Sequence, residues 1–203
     1  MNDSYIIINN VEGYIHCKSY FYTAHTTVYL NEPVTFLKGI NIIQCEIDSE
    51  FWPICYLLPM YDHVSSKDIF LFGDPEIILD QKRSLSQVNK LSCYMDLSFP
   101  LFCSNKSINN LIQKGLKKSG MELSVSDIKQ LFALDEERSK RPLSQAGNER
   151  YRAMAAIAYC NKKELFCFPW FSKKMYQYYY YHFKKICEVL NDQGKTVILP
   201  IGK

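Results

Sequence analysis

The segment from Thr35 to Leu58 constrains the fold of this chain more than any other stretch. After a predicted turn near Gly39 it continues into an apolar run, residues 40–43, that is typical of a buried strand. A connection of residues 44–50 follows, and then an apolar segment, residues 51–61, that we predict to be a buried helix. A strand, a short loop and a buried helix in this order indicate an α/β protein.

The connection in this segment stands where a phosphate-binding loop would lie in such a frame. That loop needs glycines, so that consecutive backbone N–H groups can surround a phosphate, and then Lys followed by Ser or Thr. Here Cys45, Asp48 and Glu50 stand at glycine positions. Phe51 and Trp52 occupy the Lys and Ser/Thr positions. Because the loop carries carboxylates and no lysine, we expect it to repel a triphosphate; a plain strand–loop–helix of some α/β protein is the alternative interpretation.

Length and composition bound the protein class. A chain of 203 residues predicts one α/β domain with room for an inserted subdomain. The net charge of +3 is too small and too dispersed to indicate nucleic-acid binding. No apolar run approaches the ~20 residues of a membrane helix, so we expect membrane association only through a partner. The eight cysteines lack metal-ligand spacing and follow no secretory segment, so we expect buried, reduced thiols in a cytoplasmic protein.

The N-terminal half is predicted to be rich in β-structure. Strands are predicted at residues 5–9, 15–21, 26–30, 40–43, 69–72, 77–79 and 91–95. We place a turn at Gly13 and a hairpin turn at Gly73, Asp74 and Pro75.

From Ser104 onwards the predicted elements are mainly helical. Helices are predicted at residues 105–118, 124–132, 145–159 and 172–191, with strands at 164–168 and 196–199. Ser124 or Ser126 is the expected N-cap of the second of these helices, and Ser144 that of the Ala-rich third. Strand, helix and strand with short loops at the end of the chain imply a parallel pair.

Three motifs occur in an order that can be compared with known families. The run from Tyr94 to Phe102 precedes the helical part, Leu143 and Ser144 open the Ala-rich helix with Arg150 downstream, and residues 194–199 read GKTVIL. In order and spacing the chain resembles the ATP-binding domain of ABC transporters over nearly its whole length. This resemblance implies a P-loop NTPase-like α/β core sheet with an antiparallel N-terminal β part. It also implies a single domain, 1–203, with a helical subdomain at roughly 104–150.

Aligned with that family, the catalytic positions carry other residue types. The Asp that orders Mg²⁺ and the Glu that polarises the attacking water read Pro169 and Trp170. The glutamine that senses Mg²⁺ falls at Leu97, and the histidine after the last strand falls at Gly202. The resemblance together with these replacements implies a scaffold that has lost its ATPase, with no catalytic residue, no metal and no ATP or Mg²⁺ cofactor.

A few residues keep positions that face a nucleotide in that family. Ser144, Gly147 and Arg150 form a signature-like segment, whose serine meets the nucleotide of the opposite subunit; a plain N-cap is the alternative for Ser144. Tyr22 stands where the family stacks an aromatic ring on adenine, and core or surface packing is its alternative.

We therefore expect a non-hydrolysing ABC ATPase-like subunit that pairs with a competent ATPase subunit or docks beneath a membrane subunit, without inserting into the membrane. The length and composition of the chain resemble those of accessory proteins in peptide or bacteriocin export, or in immunity. Two alternatives stay open. One is a functional, divergent ATP-binding subunit of an ABC transporter, and the other is a scaffold in a peptide-modification complex.

Overall fold

A computed structural model describes residues 5–30, 32–73, 75–79 and 81–203. Strands dominate the first half of this part and helices the second, as expected. The strands are β1 Tyr5–Asn9, β2 Glu12–Lys18, β3 Thr23–Tyr29, β4 Val34–Leu37, β5 Ile40–Gln44, β6 Ile69–Leu71, β7 Glu76–Leu79, β8 Gln81–Arg83, β9 Ser92–Tyr94, β10 Leu165–Cys167 and β11 Thr196–Ile201. The helices are α1 Phe51–Met60, α2 Leu85–Leu91, α3 Ile108–Ser119, α4 Val125–Leu131, α5 Glu136–Ser139, α6 Arg150–Cys160 and α7 Lys173–Asp192.

Four strands form a parallel sheet in the order β5-β11-β10-β9. Helix α7 connects β10 to β11, which confirms the parallel pair predicted at the end of the chain. Ser172 caps α7 by accepting a hydrogen bond from the backbone N–H of Met175, and Gly194 follows the helix with a φ of 68°.

The remaining strands form two antiparallel sheets, β4-β1-β7-β8 and β3-β2-β6. The predicted hairpin around Gly73 is wrong, because β6 and β7 belong to different sheets; Asp74 of that turn lies outside the described residues. The predicted turn at Gly13 is also wrong. Gly13 lies inside β2, where β6 approaches so closely that an added Cβ would lie 2.2 Å from the carbonyl oxygen of Phe70.

Helix α1 lies at the centre of the fold, and the prediction of a buried helix is confirmed. All its residues except Phe51 are buried, and it packs against β2, β9, β10, β11 and α2. The preceding strand is not buried as predicted. Ile40 and Ile42 are 42% and 47% exposed because β5 is the edge strand of the parallel sheet.

The segment between β9 and α6 is helical throughout its regular elements, α3, α4 and α5. Ser107 and Ser124 cap α3 and α4 through hydrogen bonds from backbone N–H groups to their hydroxyls. No helix of the described residues combines the length and apolar character that crossing a membrane requires.

Candidate functional site

The carboxyl ends of the four parallel strands lie at one edge of their sheet, which is where α/β proteins bind ligands. The segments that leave this edge are residues 45–50 after β5, 95–104 after β9, 168–172 after β10 and 202–203 after β11. These segments contain the altered phosphate-loop and catalytic positions predicted from the sequence. They are therefore the place to examine for nucleotide chemistry.

The loop of residues 45–50 lacks one feature that is common in phosphate cradles. Such cradles often combine right- and left-handed residues in succession, which points consecutive backbone N–H groups into one concavity. None of these six residues, all of them described, has a positive φ. The backbone N–H of Cys45 instead donates to the carbonyl oxygen of Ile201 at 2.8 Å, which ties the loop to β11. Asp48 and Glu50 are exposed, so their carboxylates remain on the solvent side of the loop.

The two positions that would carry Lys and Ser or Thr belong to the core. Trp52 is fully buried, and its indole N–H donates to the hydroxyl of Tyr94 at 3.0 Å. That hydroxyl donates in turn to the carbonyl oxygen of Lys18 at 3.0 Å, so the chain of hydrogen bonds satisfies both buried groups. Burial raises the pKa of Tyr94 well above its ordinary value. Phe51 is half-buried against the same core, and neither ring offers a charge to a phosphate.

Trp170 links the loop to the other strands at this edge. Its indole N–H donates to the carbonyl oxygen of Cys45 at 3.1 Å. The ring of Tyr22 packs edge-on against the indole with centroids 5.2 Å apart, and a Cβ added to Gly202 would lie 3.0 Å from the indole. The structure thus brings together Cys45, Trp170, Gly202 and Tyr22, four residues that the sequence had placed at the degenerate site.

Pro169 and its neighbours are held by the end of the sheet. Pro169 and Phe171 are buried, and the backbone N–H of Phe171 donates to the carbonyl oxygen of Pro200 at 3.1 Å. The backbone N–H of Gly202 donates back to Phe171 at 2.7 Å. Residues 168–172 therefore bring rings and backbone bonds to this edge, and no carboxylate or imidazole.

Asp96 is a residue that the sequence reasoning missed. It is 3% exposed and accepts hydrogen bonds from the backbone N–H groups of Tyr20 at 2.8 Å and Ser98 at 3.0 Å. Its position just after a short buried strand was the available signal, because an acidic residue there lies at the carboxyl edge of the sheet. Asp96 fixes residues 19–22 next to the segment that contains Leu97, which is half-buried.

Two of the signature-like residues, Ser144 and Gly147, lie on short 3₁₀ turns, Leu143–Gln145 and Gly147–Glu149, and the third, Arg150, begins α6. The alternative of Ser144 as the N-cap of the Ala-rich helix is wrong, because α6 begins at Arg150 with Glu149 at its N-cap. Ser144 and Gly147 are exposed, and Gly147 has a φ of 57°.

Arg150 connects this segment to the residues that precede Tyr22. Its guanidinium lies 4.7 Å from the ring centroid of Tyr20, within cation–π distance. Among the described residues, no hydrogen bond or ring contact joins Ser144 or Gly147 to the loop of residues 45–50. The described residues also contain no group of three or more His, Cys, Asp and Glu side chains able to hold a metal.

Neither a family model nor a curated protein matches the sequence. Solved structures do match the fold. A putative ABC transporter ATP-binding protein from Pyrococcus furiosus is 13% identical with a TM-score of 0.57, over 97% of this chain and 90% of that one. The protein cbiO1 from Clostridium perfringens, part of the ABC transporter complex cbiONQ, is 11% identical with a TM-score of 0.59, over 100% of this chain and 80% of that one.

A third structure, a bacterial Atm1-family ABC exporter with ATP bound, is 12% identical with a TM-score of 0.58. The match covers all of this chain and 35% of the exporter. The three likenesses agree with the order of parallel and antiparallel sheets described above. The chain therefore has the α/β fold of ABC transporter ATP-binding proteins.

Proposed function

We propose that this protein is a non-hydrolysing ABC ATPase-like subunit whose role is to bind other subunits of an ABC transport complex. The observation that carries the proposal is the hydrogen bond of the Trp170 indole to the carbonyl of Cys45. By the alignment, Trp170 stands at the position of the family's catalytic Glu, and this bond fixes its indole against the loop. Enzymes of this class obtain most of their rate from placed charges, and those charges are replaced here.

Electrostatics support the same proposal. The loop of residues 45–50 carries Glu46, Asp48 and Glu50 and no lysine or arginine. A triphosphate near this loop would meet like charge, and no lysine or arginine of the loop would offset it. The two proposed contacts that remain, Ser144 and Gly147, are exposed and could meet a nucleotide held by an intact partner subunit.

The decisive experiment is a titration of the purified protein with Mg²⁺-ATP, followed by tryptophan fluorescence and by phosphate release. The chain has two tryptophans: Trp52 follows the loop of residues 45–50 closely in sequence, and Trp170 donates to the carbonyl of Cys45 in that loop. A nucleotide at the loop would therefore change their emission. We expect no saturable change at millimolar nucleotide and no turnover.

Saturable binding with turnover would instead establish the alternative of a functional ATP-binding subunit, which the described ATP-binding neighbours favour. Trp170→Ala serves as the matched variant, because it removes the indole and leaves the acidic loop unchanged. We expect this variant to remain inactive, since opening the site does not supply a lysine.

The partner half of the proposal rests on neighbours that belong to ABC transporter complexes. Purification of the tagged protein from its native host is expected to recover an ABC membrane subunit or a competent ATPase subunit. Within this proposal, the complex exports a peptide or bacteriocin, or provides immunity to one. Recovery of a peptide-modifying enzyme alone would favour the scaffold alternative.

A further inference from the structure

Two adjoining cavities form a basic trough on the side of the molecule built by the helical part. Their volumes are about 530 and 300 Å³, and Pro100, Leu101, Lys118 and Asn161 line both. The trough runs from the end of α1 past the segment after β9 to the end of α3 and the turn after α6. Its shared lining makes it one elongated depression rather than two separate holes.

The charge of the trough is strongly one-sided. Five lysines line it: Lys90, Lys106, Lys114, Lys118 and Lys163. Asp62 is the acidic residue of the lining, and its carboxylate already accepts a hydrogen bond from the hydroxyl of Ser86 at 2.7 Å. Among the described residues, none of the five lysines has a carboxylate within ion-pair distance. The positive charge is therefore not neutralised from within the chain.

Lys163 shows that this charge is built into the fold. Lys163 is half-buried as a residue, and its ammonium donates to the carbonyl oxygen of Lys90 at 2.7 Å and lies 5.7 Å from the ring centroid of Phe99. Burial lowers the pKa of Lys163, and the nearby Lys118 lowers it further. A partly buried cation without a counter-charge costs free energy that an incoming anion would recover.

The lining also selects among anionic ligands. Phe99 is 2% exposed, so its face cannot stack on a nucleic-acid base. The lysines surround a concave depression, which the flat surface of a bilayer cannot follow. A free phosphate would use neither the length of the trough nor its apolar surface, to which exposed Pro100 and half-buried Leu101 belong.

We propose that this trough binds an acidic amphipathic segment of a partner protein, with carboxylates on the lysines and apolar side chains against Pro100 and Leu101. The inference rests on the proposed role as a partner-binding subunit, and it adds the chemistry of the partner. Complementary charge of this kind gives selectivity and faster association more than total affinity.

The test uses the full chain and two fluorescein-labelled synthetic peptides that share leucines on one helical face. One carries glutamates on its other face, and its control carries lysines there. Fluorescence anisotropy is expected to show that the glutamate peptide binds at least about tenfold more tightly, with an affinity that falls as salt rises. Lys118→Glu, at the position common to both cavities, is expected to weaken this binding by about tenfold or more.

Lys117→Glu is the matched control, because Lys117 is exposed on the same helix and does not line the trough. It is expected to leave the affinity within about twofold, as surface charges usually do. Circular dichroism checks the fold of each variant, and Lys90→Glu replaces Lys118→Glu if the latter does not fold.

Equal affinity for the two peptides, or equal loss in the two variants, would overturn the proposal. Inorganic phosphate or phosphatidylglycerol vesicles that bind with the same dependence on Lys118 would also overturn it, because the trough would then be a site for small anions or membranes. Mg²⁺-ATP is titrated into the same samples. Turnover with intact peptide selectivity would refute the proposed function alone, and lost selectivity without turnover would refute this inference alone.

Discussion

At the scale of single residues, the contact between Trp170 and Gly202 decides how tightly the strand ends pack. The absence of a side chain at Gly202 leaves the space that the indole needs, since an added Cβ would lie 3.0 Å from the ring and 3.2 Å from the backbone nitrogen of Lys173. The same indole donates to Cys45 and packs against Tyr22. The indole at position 170 therefore favours a residue without a side chain at position 202.

We expect Gly202→Ala to destabilise the protein by about 1–3 kcal/mol through overpacking. In a Trp170→Ala background the indole is gone, so the same change is expected to cost less, with a coupling energy of about 0.5 kcal/mol or more. Urea unfolding followed by circular dichroism measures all four proteins of the cycle.

Gly73→Ala is the control for this cycle, because no atom of the described residues outside its chain neighbours lies within 4 Å of a Cβ added at Gly73. Its effect is expected to stay within about 0.5 kcal/mol and to add independently to that of Trp170→Ala. Strict additivity of Gly202→Ala and Trp170→Ala would show that the close contact carries no energy.

The resemblance predicted that Pro169 and Trp170 stand at catalytic positions, and that assignment stays a prediction. The sequence could not predict the contacts that these two residues make. The hydrogen bond from Trp170 to Cys45 spans 125 positions in the chain, and no local pattern encodes such a contact. For Asp96, the position after a strand was a usable signal, but the bond from Tyr20 in a distant segment was not predictable.

At the scale of elements, the N-cap of α4 tests how local chemistry sets a helix boundary. Ser124 and Asp127 form a capping box, in which each side chain accepts from the backbone N–H of the other residue. Ser126 was the competing sequence candidate for the cap, and it lies inside the helix, exposed.

Ser124→Ala is expected to lower the free energy of unfolding by about 1 kcal/mol, because it leaves backbone N–H groups of the first turn without their acceptor. Ser126→Ala keeps the box and is expected to change stability by no more than about 0.5 kcal/mol. Thermal unfolding of the two variants provides the measurement, and a larger loss in Ser126→Ala would contradict the assignment.

Elements were predictable where the signal is local and unreliable where it is not. The capping serines and the apolar periodicity predicted α3, α4 and α7 to within a few residues. The third helix was predicted to begin near Ser144, but two 3₁₀ turns intervene before α6. Strand pairing was harder still, because β6 and β7 pair with strands distant in sequence instead of with each other.

At the scale of the whole molecule, burial of titratable side chains sets the pH range in which the fold is stable. Burial lowers the pKa of His16, His63 and His182, and the charges of His25 and Lys18 lower that of His16 further. Burial raises the pKa of Cys160 to about 12 and that of Cys187 to about 11. Both effects arise because the interior disfavours charge.

The sign of the pH dependence follows from these shifts. The histidines bind protons more readily when unfolded, so their contribution is full above about pH 6.5 and is lost as pH falls through their folded pKa values. The thiols lose protons more readily when unfolded, so their contribution is full below about pH 9 and is lost as pH rises. Melting temperature is therefore expected to be highest between about pH 7 and 9.

His182→Gln is the variant that checks the acid side of this profile. Nδ1 of His182 is buried without a hydrogen-bond partner in the described part of the chain, so protonation of the ring finds no acceptor there. The variant is expected to lose less stability than the parent as pH falls from 7 to about 5. If the melting temperature of the parent protein rose as pH fell from 7 to about 5, the lowered pKa values of the histidines would be contradicted.

The exposed outer side of β5 has a consequence for the protein when it is handled alone. Ile40 and Ile42 project from an edge strand whose outward backbone groups can pair with an extended segment of another molecule. Such an edge acts as a template on which chains add to one another, and the rate of that addition grows with concentration. We therefore expect concentrated solutions of the isolated protein to self-associate through this strand.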